Sequence, residues 1–125
     1  ENLHRGRTIT VLAELNGQII GYGSLHHDET KWTAHLGEIR ILVNKRYRTL
    51  GLGKRLAAEI FFIAHEMKLE RIICQIPADQ PRVRQMFESL GFNAEAYLSE
   101  WLISRDGTMH DLLILSQQTE HFTAR

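Results

Sequence analysis

Arg48-Thr49-Leu50-Gly51-Leu52-Gly53-Lys54-Arg55 stands between a short apolar run, Ile39 to Val43, and a long segment, Leu52 to Leu69, in which Leu52, Leu56, Ile60, Ile63 and Met67 recur at helical spacing. This order predicts a strand, a tight glycine turn and a helix that buries one face. A helix beginning near Gly51 carries unpaired backbone N–H groups in its first turn, and these, with the positive end of the helix dipole, favour negative charge. The sequence places Arg48, Lys54 and Arg55 there and no acid. The counter-charge is therefore expected from a ligand. Two glycines let that ligand approach the backbone, and phosphate is the anion commonly bound at such a helix start. The stretch reads as a pyrophosphate cradle; the plainer alternative is a glycine turn that opens a solvated helix.

Spacing excludes two common nucleotide motifs. A Walker loop ending at Gly53-Lys54 needs glycine where Arg48 stands and serine or threonine where Arg55 stands, and the dinucleotide fingerprint needs its third glycine where Leu56 stands. Composition narrows the partner further. The 125 residues suit one domain, residues 1–125, and 15 basic against 15 acidic residues leave no net field to gather nucleic acid or an anionic membrane. The partner is expected to be small and anionic, with neither nucleic acid nor membrane involved. One cysteine, Cys74, in an apolar run cannot form an internal disulfide, and neither a signal peptide nor a membrane-length apolar stretch is evident, which fits a reducing cytoplasm. A homodimer is left open. The chain opens with Glu1, as a processed product or a fragment of something longer would.

Taken in order, Ile9 to Leu15 alternates as a strand, Asn16-Gly17 suits a two-residue hairpin, and Gln18 to His26 returns. Gly21 and Gly23 inside that strand predict a bulge or a close backbone approach. His26-His27-Asp28-Glu29, with His35, reads as a solvated connection in preference to a metal site, because adjacent residues of an extended chain point to opposite sides. Glu38 to Val43 feeds the cradle, the helix runs to Leu69, and Arg71 to Ile76 forms the next strand, so the two strands are expected to be parallel. Asp79-Gln80-Pro81 opens a second helix with a buried stripe of Val83, Met86, Phe87 and Leu90, and Gly91 ends it. Ala94 to Ser104 and Met109 to Ser116 form a hairpin through Asp106-Gly107, and Gln117 to Arg125 is expected to be loosely held. The fold class is thus α/β in the α+β sense, a mixed sheet with a parallel central pair and flanking helices.

Arg48-x-x-Gly51-x-Gly53 after Ile41-Leu42-Val43-x-x-x-Tyr47 resembles the acyl-CoA signature of the GNAT superfamily of N-acyltransferases. Met86-Phe87-Glu88-Ser89-Leu90-Gly91-Phe92 and Asp111 to Leu115 resemble its helix end and closing strand. The resemblance runs from the family's second strand to its last; its initial helices, which form part of the acceptor pocket, have no counterpart. It implies acetyl-CoA as cofactor, with the pyrophosphate held by Arg48, Thr49, Leu50, Gly51, Leu52, Gly53 and Lys54. It also implies a pantetheine arm between splayed parallel strands, bonded to the backbone near Leu42 and Val43. Gln80 and Phe87 stand where the family has an asparagine near the pantetheine and a tyrosine that protonates the thiolate. Phenylalanine has no proton to give, but a thiolate with a reference pKa of roughly 8.5 leaves without strong acid assistance.

The implied activity is N-acetyl transfer to a primary amine of a small molecule or protein, by direct attack in a ternary complex. The alternative is a non-catalytic acyl-CoA-binding module with a regulatory or docking role. The oxyanion partner is expected to be a backbone N–H around Leu42 or Val43. Glu38 is the expected base, lying near the family's catalytic glutamate but one residue out of register relative to Val43, and a solvated surface role is its alternative. His26, His35 and Asp79 are the reserves.

Overall fold

The computed structural model describes residues 6–28 and 32–121. The chain forms β1 (Gly6–Leu15), β2 (Gln18–Asp28), β3 (Leu36–Val43), α1 (Leu52–Glu66), β4 (Arg71–Pro77), α2 (Pro81–Ser89), β5 (Asn93–Ile103) and β6 (Met109–Gln118). One six-stranded sheet has the order β1-β2-β3-β4-β6-β5, antiparallel except for the β3–β4 pair. This is the mixed sheet expected from the sequence.

Local chemistry places the turns. Asn16 and Gly17 both adopt positive φ (52° and 81°), the twist a two-residue hairpin requires. Across β1 and β2 the register slips so that Ala13 faces Gly21 and Glu14 faces Ile19, leaving Ile20 as a bulge. Its carbonyl accepts the Asn44 N–H at 2.8 Å. Gly23 lies against α1, where a Cβ would come within 3.3 Å of Ile60. The strand glycines thus serve the bulge and the close approach of a helix.

The core gathers Ile39, Ile60, Phe61, Ile72, Phe87, Leu115 and their neighbours between one sheet face and the two helices. Phe92 meets Phe61 and Phe87 edge-on, with ring centroids 5.7 and 5.1 Å apart, the geometry aromatic quadrupoles favour. Among the described residues no helix covers the opposite sheet face. There Leu12, Tyr22 and Leu42, partners across β1, β2 and β3, are all exposed.

The structure corrects several sequence expectations. The link after β3 is no bare glycine turn, because a 3-10 helix at Lys45–Leu50 intervenes, capped by Asn44, whose side chain accepts the Arg46 N–H. Helix α1 stops at Glu66 because Lys68 turns left-handed (φ 62°) and the Leu69 N–H folds back to the Ala64 carbonyl. Strand β2 continues through His27, which is buried, to Asp28; Glu29 lies outside the described residues. The segment from Gln117 is not loose as far as it is described. Gln117 and Gln118 extend β6, Thr119 is buried, and its N–H donates to Glu70 O at 2.9 Å. Residues 122–125 lie outside the description.

Candidate functional site

The parallel pairing is short. Leu36, Gly37 and Glu38 face Arg71, Ile72 and Ile73, and there the register ends. Beyond it β3 pairs only with β2 and β4 only with β6. The facing edges of Ile39 to Val43 and Cys74 to Pro77 are therefore open to each other, a wedge-shaped crevice at the carboxyl ends of two parallel strands. An open α/β sheet binds ligands in such a place.

At the mouth of the crevice α1 begins. Gly51 (φ 71°) precedes it, no side chain caps its start, and its first turn contains no acid. A Cβ on Gly51 would meet nothing within 4 Å, so the backbone there is open to an approaching group. Gly53 is different. A Cβ there would stand 2.8 Å from Met86 Sδ, so on its side-chain side this glycine makes room for α2. Lys54 and Arg55 are exposed beside the helix start, as is Arg48, whose Nε–H donates to Val43 O at 3.2 Å. Thr49 and Leu50 lie on the 3-10 helix. The unfilled helix donors, the open glycine and the three cations fit a pyrophosphate, and the crevice fits an extended arm.

Gln80 precedes α2 with an exposed side chain that makes no cap, and Leu42 is exposed on the uncovered face. Phe87 is buried in the core against Phe92 and cannot exchange a proton. Cys74 is no nucleophile, since burial pushes its thiol up to about 12.

Glu38 lies between the buried Gly37 and Ile39, so its side chain points to the uncovered face. It is paired across the strands with His26 and lies 3.6 Å from Arg40. His26 bonds Thr8 on that face at 2.9 Å. His35 lies before β3, where its carbonyl accepts the Glu70 N–H, at the end of the sheet away from the crevice mouth.

A group of side chains that the sequence reading did not single out as a unit assembles beyond β4. His110 Nδ1 lies 2.9 Å from Asp79 Oδ2, and His110 Nε2 lies 3.2 Å from Ser104 Oγ. The Ser104 hydroxyl donates to Asp106 Oδ1 at 2.6 Å. That bond and the Thr108 N–H hold the Asp106 carboxyl down at about 2. Asp111 accepts the Tyr97 hydroxyl and the Glu100 N–H. These bonds lower its carboxyl and raise the Tyr97 phenol. Its sequence signs were the reserve Asp79 and the Asp106-Gly107 turn, which folds Ser104 back towards His110.

A family model described as Acetyltransferase (GNAT) family matches residues 1–92. The chain is similar to an acetyltransferase of the GNAT family from Streptococcus pneumoniae, at 27% identity and a TM-score of 0.83 over 89% of this chain and 67% of that one. It is also similar to the ribosomal-protein-alanine N-acetyltransferase of Brucella melitensis, at 27% identity and a TM-score of 0.79 over 87% and 67% of the two chains. A phosphinothricin acetyltransferase from Sinorhizobium meliloti, solved in complex with acetyl-CoA, shares the fold at 23% identity and a TM-score of 0.78 over 93% and 63%.

Proposed function

The chain belongs to the acetyltransferase (GNAT) family, and from that premise we propose that it transfers the acetyl group of acetyl-CoA to a primary amine, which attacks the thioester directly while both are bound. The observation that carries this reading is the end of β3–β4 pairing at Glu38 and Ile73, beside an uncapped helix start at Gly51.

Acetyl-CoA supplies an activated acyl group on a thiol that leaves readily. The chain supplies position and charge. Leu52, Gly53 and Lys54 offer first-turn N–H donors to the pyrophosphate, with Arg48, Lys54 and Arg55 as counter-charges. The open edge of β3 around Leu42 and Val43 offers backbone donors to the arm and to the charge developing on the carbonyl oxygen. Holding two reactants in register accounts for most of the acceleration such a site needs. The acceptor enters from the uncovered sheet face. Glu38 stands on that face four residues below Leu42, about 13 Å along an extended strand, so it could reach the acceptor only through water.

The acceptor is either a small molecule or a protein amino group. The similarity to a ribosomal-protein-alanine N-acetyltransferase makes a peptide with an N-terminal alanine the first acceptor to try, beside a panel of small primary amines. Release of free thiol with a matching mass gain of one acetyl group on the acceptor is expected. No thiol release with any of these amines, by a chain that binds acetyl-CoA, would overturn the reading.

A further inference from the structure

Two protons leave an acceptor ammonium during acetyl transfer. One must go before the nitrogen can attack, and the other is lost as the amide forms. A residue that collects the first should stand on the acceptor face near the thioester. Glu38 faces Ile73, so Leu42, four residues on, is level with Pro77, and Pro77 is paired with Leu112 of β6. His110 is two residues further along β6 towards the crevice mouth, about 7 Å at the rise of a strand, and two strands across the sheet from β3. Leu113 and Leu115 belong to the helix-side core, so by alternation Leu112 and His110 point to the uncovered face.

The hydrogen bonds around the imidazole set which nitrogen carries its proton. Asp79 accepts from one imidazole nitrogen, which fixes a proton on Nδ1 and leaves the basic lone pair on Nε2. The neighbour of Nε2 is Ser104 Oγ, whose single proton goes to Asp106 at 2.6 Å. In the neutral ring Nε2 therefore faces an oxygen with no proton to offer. Once protonated, it finds a lone pair there, so both ring N–H groups have acceptors.

We propose that His110 is the proton acceptor for the incoming amine, with Asp79 as its positioning residue. The proposal rests on the amine-transfer reading above. His110 Nε2 takes one proton from the acceptor ammonium, and the freed lone pair forms the C–N bond as the C–S bond breaks. The sulfur leaves with the bonding electrons and ends with the second nitrogen proton. The imidazolium then discharges to solvent past Ser104 and Asp106, which lie on the exposed β5–β6 turn. The charged groups near enough to act on the ring are Asp79 from the β4–α2 link, Asp106 from the turn and Asp111 from β6, with Tyr97 of β5 bonded to Asp111. The three carboxylates also favour the approach of an ammonium.

The test compares wild type with His110→Gln and Asp79→Asn, using acetyl-CoA with an N-terminal-alanine peptide and small primary amines. His110→Gln should keep acetyl-CoA affinity by calorimetry and lose roughly 10²- to 10⁴-fold in kcat near neutral pH, with the loss shrinking as pH rises and free amine accumulates. Asp79→Asn removes the anion that stabilises the imidazolium, so the acid limb of kcat/KM should move to lower pH. A purely structural role would leave that limb in place. Wild-type turnover with an unchanged rate and acid limb in His110→Gln overturns the role of His110 alone. An unmoved limb in Asp79→Asn does the same should His110→Gln fail to fold. Absence of turnover in wild type overturns the amine-transfer reading and this role with it.

Discussion

Gly53 faces Met86 so closely that a Cβ on the glycine would stand 2.8 Å from the sulfur, which ties the first turn of α1 to the middle of α2. Alanine is the better helix former by about 1 kcal/mol, yet here its methyl makes the flexible Met86 thioether move aside. Gly53→Ala should therefore stabilise the wild type by less than helix propensity alone gives. In a Met86→Ala background, which removes the obstacle, the same change should be stabilising. Chemical denaturation of the four proteins of this double-mutant cycle measures the coupling, and additivity would show that the two residues do not constrain each other.

Gly51 carries a different burden. It holds φ at 71° with open space where a side chain would be, so Gly51→Val both strains the backbone and covers the helix donors. Calorimetry should show acetyl-CoA affinity lost in a protein that still folds, with circular dichroism as the check on folding. Arg48→Ala should weaken binding less than Gly51→Val, and its effect should shrink as salt rises, since charge attraction is what it removes. Undiminished affinity in Gly51→Val would remove the cradle.

Where order in the fold is set by local chemistry, the sequence was sufficient. Asn16-Gly17, Pro81 and Gly91 place their turns and helix ends through backbone preferences that act within a few residues, and the periodic Leu56, Ile60 and Ile63 identify α1. Long-range contacts were not legible. Gly53 looked like a second ligand-facing glycine because nothing near it in sequence announces Met86. The 3-10 helix from Lys45 to Leu50 has no apolar period to betray it. His110 meets Asp79 because β6 runs antiparallel to β4, with Pro77 opposite Leu112 and the Ala78 N–H on the Asp111 carbonyl, so that Asp79 and His110 come next to each other. The register of the parallel pair, which opens the crevice, likewise appears only in three dimensions.

Phe87 serves packing. Its ring is 3% exposed and meets Phe92 edge-on, so Phe87→Ala should destabilise the fold by about 3–5 kcal/mol. Thermal or urea unfolding measures this, and a loss under about 1 kcal/mol would show that the ring is not part of the core.

The β5–β6 turn should resist acid. The Asp106 carboxyl accepts from Ser104 and from the Thr108 N–H at 3.0 Å and titrates at about 2, below its reference value of 3.8. A depressed carboxylate contributes its stabilisation fully above the unfolded value and loses it as pH falls through the folded one. The Thr108 amide resonance should therefore hold its position down to the region between 3.8 and about 2 and shift there, and Asp106→Asn should abolish that titration. A midpoint at the reference value would show that the turn does not hold the carboxylate.

Glu38 and His110 make competing claims on the acceptor's proton, from opposite sides of the level of Leu42. An amine with a lysine-like reference pKa of roughly 10.4 is protonated at neutral pH, so the collector's loss must appear as a lower rate and a lost acid limb. Glu38 is engaged with Arg40 at 3.6 Å and stands well below the open edge at Leu42. Glu38→Gln should leave acetyl-CoA affinity near wild type and lower kcat by less than the roughly 10²-fold that marks the loss of a general base, with the acid limb still present. A larger fall in kcat together with loss of the limb would make Glu38 the base and leave His110 to hold the hairpin against the start of α2.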